Sequence, residues 1–217
     1  MVEERLRGKP LAYLIGKKGF WKSSFIVTPD VLVPRPETET LVDAILNENL
    51  QDKTLLELGT GSGAISISIA QENKDCFIFA TDISIKSILV AKQNAEKFCC
   101  ENIIFLNHDW NNEWLFPQVD YLISNPPYVD KEATTGKEEG IWHEPEKALF
   151  SKEKGLSDLK LILSKGKNFL NENGKVYLEH APDQYEELNK FAMENGYLNF
   201  SNLNDLNGDK RVSVYQC

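Results

Sequence analysis

Several chemistries are poorly provided for in this sequence. Its 217 residues include four cysteines and three histidines. Cys76, Cys99, Cys100 and Cys217 show no Cys-x-x-Cys spacing, which argues against a disulfide framework and predicts a reducing, cytoplasmic home. His108, His143 and His180 are isolated, so a metal would need carboxylates or thiols gathered by the fold, and none is expected. No apolar run approaches the roughly 18 residues that cross a bilayer. The opening Met1-Val2-Glu3-Glu4-Arg5 has no apolar signal-peptide core, so a soluble, unexported protein is expected. Positive charge is short as well: 24 Lys and Arg stand against 33 Asp and Glu, a net charge of -9. Nucleic-acid binders usually display a basic stripe and gain affinity from counterion release. Stable nucleic-acid binding is therefore not expected, and a small molecule or a protein partner is.

What is present suffices for one sizeable core, with 41% hydrophobic residues and no composition break. One main domain and a monomer are expected. Pro10 to Val33 mixes short apolar runs with Gly16, Gly19 and Pro29, which predicts a hairpin or small ribbon rather than a helix. Pro34-Arg35-Pro36 then sets an extended entry to a helix over Glu37 to Leu50. From Thr54 strand and helix alternate: Thr54 to Leu58, Gly63 to Glu72, Phe77 to Ala80, Ser84 to Phe98. Strands at Ile103 to Leu106 and Val119 to Ser124 follow. Helices are predicted at Leu156 to Leu170 and Asp183 to Asn195, and late strands at Lys175 to Glu179, Tyr197 to Phe200 and Val212 to Tyr215. The rhythm predicts an α/β fold with a mainly parallel sheet. Residues 130–142, with Thr134, Thr135, Gly136, Glu138 and Glu139, read equally as a lid or as a solvated loop.

Glu57-Leu58-Gly59-Thr60-Gly61-Ser62-Gly63 lies where an apolar strand ends and a helix begins. Glycines there admit left-handed dihedrals and close approach of a ligand to backbone, and the helix N-terminus offers free N–H groups. Asp82, at the end of the second strand, can accept from both hydroxyls of a ribose. Gly59-x-Gly61-x-x-Ala64 also fits a nicotinamide-dinucleotide fingerprint. Glu57, better suited to the amino group of a methionine moiety than to a pyrophosphate, and the lack of a dehydrogenase-type His or Lys constellation favour S-adenosylmethionine. Asp109-Trp110 follows the third strand, where the carboxylate could accept from an adenine amino group and the indole cover the ring, or simply join the core.

Asn125-Pro126-Pro127-Tyr128 follows the fourth strand, at the carboxyl edge where doubly wound folds bind ligands. Its two prolines stiffen the backbone and offer no N–H. What remains is acceptor-rich: the Asn125 side-chain oxygen and the Pro126 carbonyl can each take one hydrogen of a planar NH2 group, on which Tyr128 can stack. An amide nitrogen is a poor nucleophile because its lone pair is delocalised, and two aligned acceptors address both its electron density and its orientation. The tetrapeptide alone leaves amide and nucleobase substrates open.

Taken together these strings resemble the release-factor glutamine N5-methyltransferases, the HemK/PrmC family of class I methyltransferases. The resemblance runs through Gly16 to Trp21, Pro34-Arg35-Pro36-Glu37-Thr38-Glu39, the Glu57 to Gly63 loop, Asp109-Trp110 and Asn125 to Tyr128. It continues through Glu144-Pro145, Ala148-Leu149, Leu178-Glu179-His180 and Gly208 to Val212. It implies a Rossmann-like sheet of seven strands with the last antiparallel, S-adenosylmethionine as cosubstrate, and the Gly-Gly-Gln glutamine of peptide chain release factors as acceptor in translation termination. By position it implies that Glu57, Gly59, Thr60, Gly61, Ser62, Gly63, Asp82, Asp109, Trp110 and Asn125 bind the cofactor. Asn125, Pro126, Pro127 and Tyr128 would be catalytic and hold the glutamine, with Arg35 and Glu37 lining the site. The expected division is a ribbon and linker over 1–36 and a catalytic domain over 37–217, without the family's helical docking domain. His108 and Ala181 stand where the family usually has Gly. Alternatives are a nucleic-acid amino methyltransferase, with adenine or guanine as acceptor, and a catalytically idle cofactor-binding module.

Overall fold

The computed structural model describes residues 1–134 and 141–217. In chain order the elements are α1 (Val2–Leu6), α2 (Leu11–Ile15), β1 (Lys17–Phe20), β2 (Ser23–Ile26), α3 (Glu39–Leu46), β3 (Thr54–Leu58), α4 (Ala64–Glu72), β4 (Phe77–Asp82), α5 (Ile85–Lys97), β5 (Ile103–Asn107), β6 (Val119–Ser124), β7 (Val129–Asp130), β8 (Phe150–Ser151), α6 (Ser157–Gly166), β9 (Leu170–Glu179), α7 (Tyr185–Glu194), β10 (Asn199–Asn204) and β11 (Lys210–Gln216). The main sheet has seven strands in the order β10-β11-β9-β6-β3-β4-β5. Strands β5, β4, β3, β6 and β9 are mutually parallel, and β11 runs antiparallel between β9 and β10. This is the expected α/β architecture with its antiparallel last strand.

Period-two alternation divides the sheet between two cores. Leu55, Tyr121, Ile123 and Tyr177 face α3, α4 and the ribbon residues Phe20 and Phe25. Leu56, Leu58, Leu122, Val176 and Leu178 face the side of α6 and α7, with Leu159, Ile162, Leu163 and Leu188. Helix α4 is buried from Ala64 through Ala70, and so carries almost no polar face. By contrast α5 keeps an exposed side and is capped by the Ser84 hydroxyl, which accepts from the Ser87 amide at 3.2 Å.

Some boundaries differ from the sequence reading. The stretch from Pro10 does contain the ribbon, β1 paired antiparallel with β2. It opens, however, with helix α2, which starts after Pro10 and stops at Gly16 in a left-handed conformation, φ 70°. Both residues read as hairpin punctuation, yet they are also a helix start and stop. Helix α3 begins two residues late because Pro36–Thr38 form a 3-10 turn, and it ends four residues early at Leu46. Helix α6 likewise stops at Gly166, where a 3-10 turn over Lys167–Phe169 takes over. The strand predicted at Tyr197 to Phe200 lies instead at Asn199–Asn204. Tyr197 is a core residue whose hydroxyl donates to the Leu163 carbonyl at 2.8 Å, while the edge strand is polar and carries no alternation to find. Among the described residues no helix is long and apolar enough to cross a membrane, and no cluster of three or more His, Cys, Asp or Glu could hold a metal. Thr135, Gly136, Glu138 and Glu139 of the suggested lid lie outside the described residues.

Candidate active site

The parallel strands β3, β4 and β6 end together at Leu58, Asp82 and Ser124, and the site is built on those ends. After Leu58 the chain turns through Gly59, Gly61 and Gly63, with φ of 77°, 55° and 81°. All three values lie in the region a Cβ disfavours. A Cβ on Gly59 would also stand 3.2 Å from the Trp110 ring, whereas one on Gly61 would meet nothing within 4 Å. The loop is tied down on three sides. The Gly59 and Thr60 amides both donate to the Thr81 carbonyl at 2.8 Å, and the Gly61 amide donates to Asp82 Oδ2 at 2.9 Å. Asn94, fully buried within α5, donates to the Ser62 carbonyl at 2.9 Å and exchanges two bonds with Ile26 of the ribbon.

Glu57 lies underneath this loop and is not on the cleft wall. Its Oε2 accepts from the hydroxyls of Thr60 and Ser66, while Oε1 has no hydrogen-bond partner among the described residues. Burial pushes the carboxyl up to about 7, against the pull of those hydroxyls. The folded chain thus holds this proton more tightly than the unfolded chain, whose carboxyl titrates near 4.5. The resulting stabilisation is complete below that value and is lost as pH rises to about 7, an effect on the order of 3 kcal/mol. Glu57→Gln should therefore flatten the pH dependence of the urea midpoint between pH 5 and 8, and leave the variant more stable than the parent at pH 8.

A cleft of about 540 Å³ opens above the loop. Gly59, Gly61, Asp82, Trp110, Asn125 and Pro127 all line it, so the structure brings together the strand-end residues that the sequence scatters over some seventy positions. Asp82 accepts from the Gly61 and Ser84 amides through different oxygens, and burial raises its pKa despite both bonds. The Trp110 indole is fixed by donation to Asp158 at 3.0 Å, and Asp158 in turn accepts from Ser151. Asp109 is not on the wall, because its carboxylate caps the following turn through the Asn111 amide and side chain.

A smaller cleft adjoins the first and shares Leu32, Gly59, Gly61 and Asn125 with it. It adds Phe20 and Arg35 from the N-terminal segment, together with Thr38, Thr60 and Ser62. Arg35 pairs at 2.5 Å with Glu144, which is almost completely buried and also accepts from the Val33 amide. Glu37 is half-buried and lines neither cleft. Asn125 donates its Nδ2 to the Thr38 hydroxyl at 3.0 Å, so Oδ1 is the atom left without a donor among the described residues. Tyr128 does not present its face to either cleft; its hydroxyl donates to Glu179 at 3.0 Å. Thr38, Glu144 and Glu179 belong to strings noted in the sequence, but no local pattern there gives them a role.

This geometry can be set beside known proteins. Residues 36–155 match the methyltransferase small domain family. A release factor glutamine methyltransferase of Coxiella burnetii is 39% identical over 218 residues, covering 98% of this chain and 77% of that protein. The chain belongs to the release factor glutamine methyltransferases. A second member, from Salmonella typhimurium, is 35% identical over 98% of this chain and 77% of its own length. Among solved structures, a methyltransferase from Pyrococcus furiosus superposes over 100% of this chain and 98% of its own with a TM-score of 0.69. At 18% identity that likeness establishes the fold.

The cosubstrate of these methyltransferases is S-adenosylmethionine, and the large cleft suits it. The Gly59 to Gly63 turn is a cradle that side chains would fill or strain, a half-buried carboxylate stands at the end of β4, and an indole is pinned beside Gly59. Asp82→Ala removes that carboxylate and both amide bonds that shape the cleft. Because hydrogen bonds to a charged group contribute about 1.5–3 kcal/mol, donor affinity in a calorimetric titration should fall about 10- to 100-fold. Turnover at saturating donor should fall much less.

Proposed function

We propose that this chain methylates the side-chain amide nitrogen of the glutamine in the Gly-Gly-Gln loop of peptide chain release factors. The observation that carries the reading is the orientation of Asn125. Its NH2 group is committed to Thr38, which leaves Oδ1 to accept, on a residue that lines both clefts. In this reading the second acceptor for the two hydrogens of one planar NH2 is the carbonyl of Pro126, a buried residue that is not among those lining either cleft. Held this way, the amide is fixed in plane and electron density is drawn onto nitrogen, as the poor nucleophilicity of an amide demands. When bound, the donor supplies an electrophilic methyl group on a sulfonium.

In this reading Gly59 to Gly63, Asp82 and Trp110 hold the donor, while Glu57 shapes the loop from beneath. Arg35, kept in place by Glu144, lines the glutamine side. Residues 1–36 form one wall of the site and 37–217 carry the transferase fold. A monomer acting in the cytoplasm on a protein rather than a nucleic acid accords with the net charge of -9. The test is mass spectrometry of a purified release factor after incubation with this chain and isotopically labelled donor. One added methyl on the Gly-Gly-Gln glutamine is expected. Donor binding without label on that residue, or label on ribosomal RNA instead, would overturn the reading.

A further inference from the structure

Helix α6 carries two charged residues whose side chains leave the helix for the same loop. Asp158 and Lys165 are seven residues apart, two helical turns, and so share one face. Asp158 Oδ1 accepts from the Trp110 indole N–H at 3.0 Å. Near the other end of the helix the Lys165 ammonium donates to three successive carbonyls, those of Trp110 at 2.8 Å, Asn111 at 3.0 Å and Asn112 at 2.9 Å. An ammonium has three protons, and here each meets one oxygen. Three carbonyls turned toward one point repel one another unless a cation stands between them, so the charge steadies this turn. Packing of α6 onto the sheet does not call for either residue, because Leu159, Ile162 and Leu163 already supply its buried face. Asp158 is itself held: its amide donates to the Ser151 hydroxyl at 3.1 Å, and its Oδ2 accepts from that hydroxyl.

The indole between these anchors is held at both ends. Its N–H is taken by Asp158, and its benzo edge lies against Gly59, where a Cβ would stand 3.2 Å from Cζ3. Trp110 also lines the large cleft. We infer that Asp158 and Lys165 are positioning residues for the methyl donor, acting through Trp110. Lys165 fixes where the Trp110 backbone stands, and Asp158 fixes how the ring is turned. The ring then meets the cleft as a settled surface for a flat group such as adenine. An indole already held costs little to order when a ligand arrives, whereas one free to turn has to be immobilised at the expense of affinity.

This inference rests on the reading in which Trp110 holds the donor, so calorimetric binding of S-adenosylmethionine to Trp110→Ala is measured first. A loss of about 10-fold or more is expected. Parent affinity there would overturn that reading and this inference together; the other outcomes bear on α6 alone. Asp158→Ala and Lys165→Met should each weaken binding about tenfold, the scale of one charge-assisted hydrogen bond. Asp158→Ala should also move the Trp110 indole N–H resonance upfield in proton–nitrogen NMR, while that of Trp21, which donates to Glu72, stays in place. Asp158→Asn, whose oxygen still accepts from the indole as its NH2 turns to Ser151, should bind within about threefold of the parent. Added to Trp110→Ala, which leaves no ring to position, neither Asp158→Ala nor Lys165→Met should cost further affinity. The inference is overturned if Asp158→Ala or Lys165→Met keeps the parent affinity, or if the indole resonance does not move. It is equally overturned if Asp158→Asn is as weak as Asp158→Ala, or if the losses add in full to that of Trp110→Ala, as a general loosening of α6 would make them.

Discussion

Asn125→Ala is expected to reduce methylation of the release factor about 100-fold or more at saturating substrates, while donor affinity changes little. In the proposed reading the side chain supplies the acceptor Oδ1, and its loss leaves the Pro126 carbonyl as the remaining acceptor in the tetrapeptide. An amide held by one hydrogen can pivot out of the plane of attack, and preorganised groups of this kind are worth about two to three orders of magnitude in turnover. Because the lost contact matters most as the nitrogen gains density, kcat and kcat/KM should fall together. Rapid-quench assays over a range of both substrates test this. Equal losses in turnover and in donor affinity would show that Asn125 serves the cofactor instead.

Gly155→Ala should be the most damaging small substitution away from the cleft. Gly155 has φ 86° and follows Glu153 and Lys154, which are themselves left-handed at 53° and 56°. A Cβ there would sit 1.9 Å from the Tyr128 carbonyl oxygen and 2.6 Å from Gln184 Nε2. The carbonyl is backbone, so no rotamer change relieves the contact. It is also the acceptor for Gln184 at 3.0 Å, and the next residue donates from its amide to Leu149. Relief therefore requires Tyr128 to retreat and those bonds to loosen. We expect a loss of about 2–4 kcal/mol in urea unfolding, together with reduced turnover. Gly208→Ala provides the comparison, since Gly208 has φ 88° but open space around it. Only the dihedral strain of about 1–2 kcal/mol should appear there. Equal losses for the two variants would remove the clash as the cause.

The buried strands were legible because parallel strands covered on both faces read as short apolar runs, as in Thr54 to Leu58 and Val119 to Ser124. The loop glycines, Asp82, Trp110 and Asn125 were legible for a related reason: each lies at, or within five residues after, the carboxyl end of a strand, and a doubly wound sheet collects its strand ends. The supporting residues were hidden by distance along the chain. Glu144 meets the Val33 amide across 111 residues, and Glu179 meets the Tyr128 hydroxyl across 51. Nothing in the local sequence of either carboxylate reports which hydroxyl or guanidinium the sheet will bring beside it. Glu57 shows the opposite problem. Its place before the first glycine suggests direct ligand contact, yet inward alternation along β3 turns the carboxyl beneath the loop. Helix α2 escaped because Pro and Gly punctuate helices and hairpins alike.

Asn94 has a consequence beyond holding a loop in place. One side chain in the middle of α5 bonds both backbone groups of Ile26 and the Ser62 carbonyl, so the N-terminal ribbon and the glycine-rich loop share a fastening. Neither can shift without breaking bonds that belong to the other. Through Phe20 the ribbon also lines the smaller cleft, so the side chain that fastens the glycine-rich loop braces a wall of the neighbouring cleft as well.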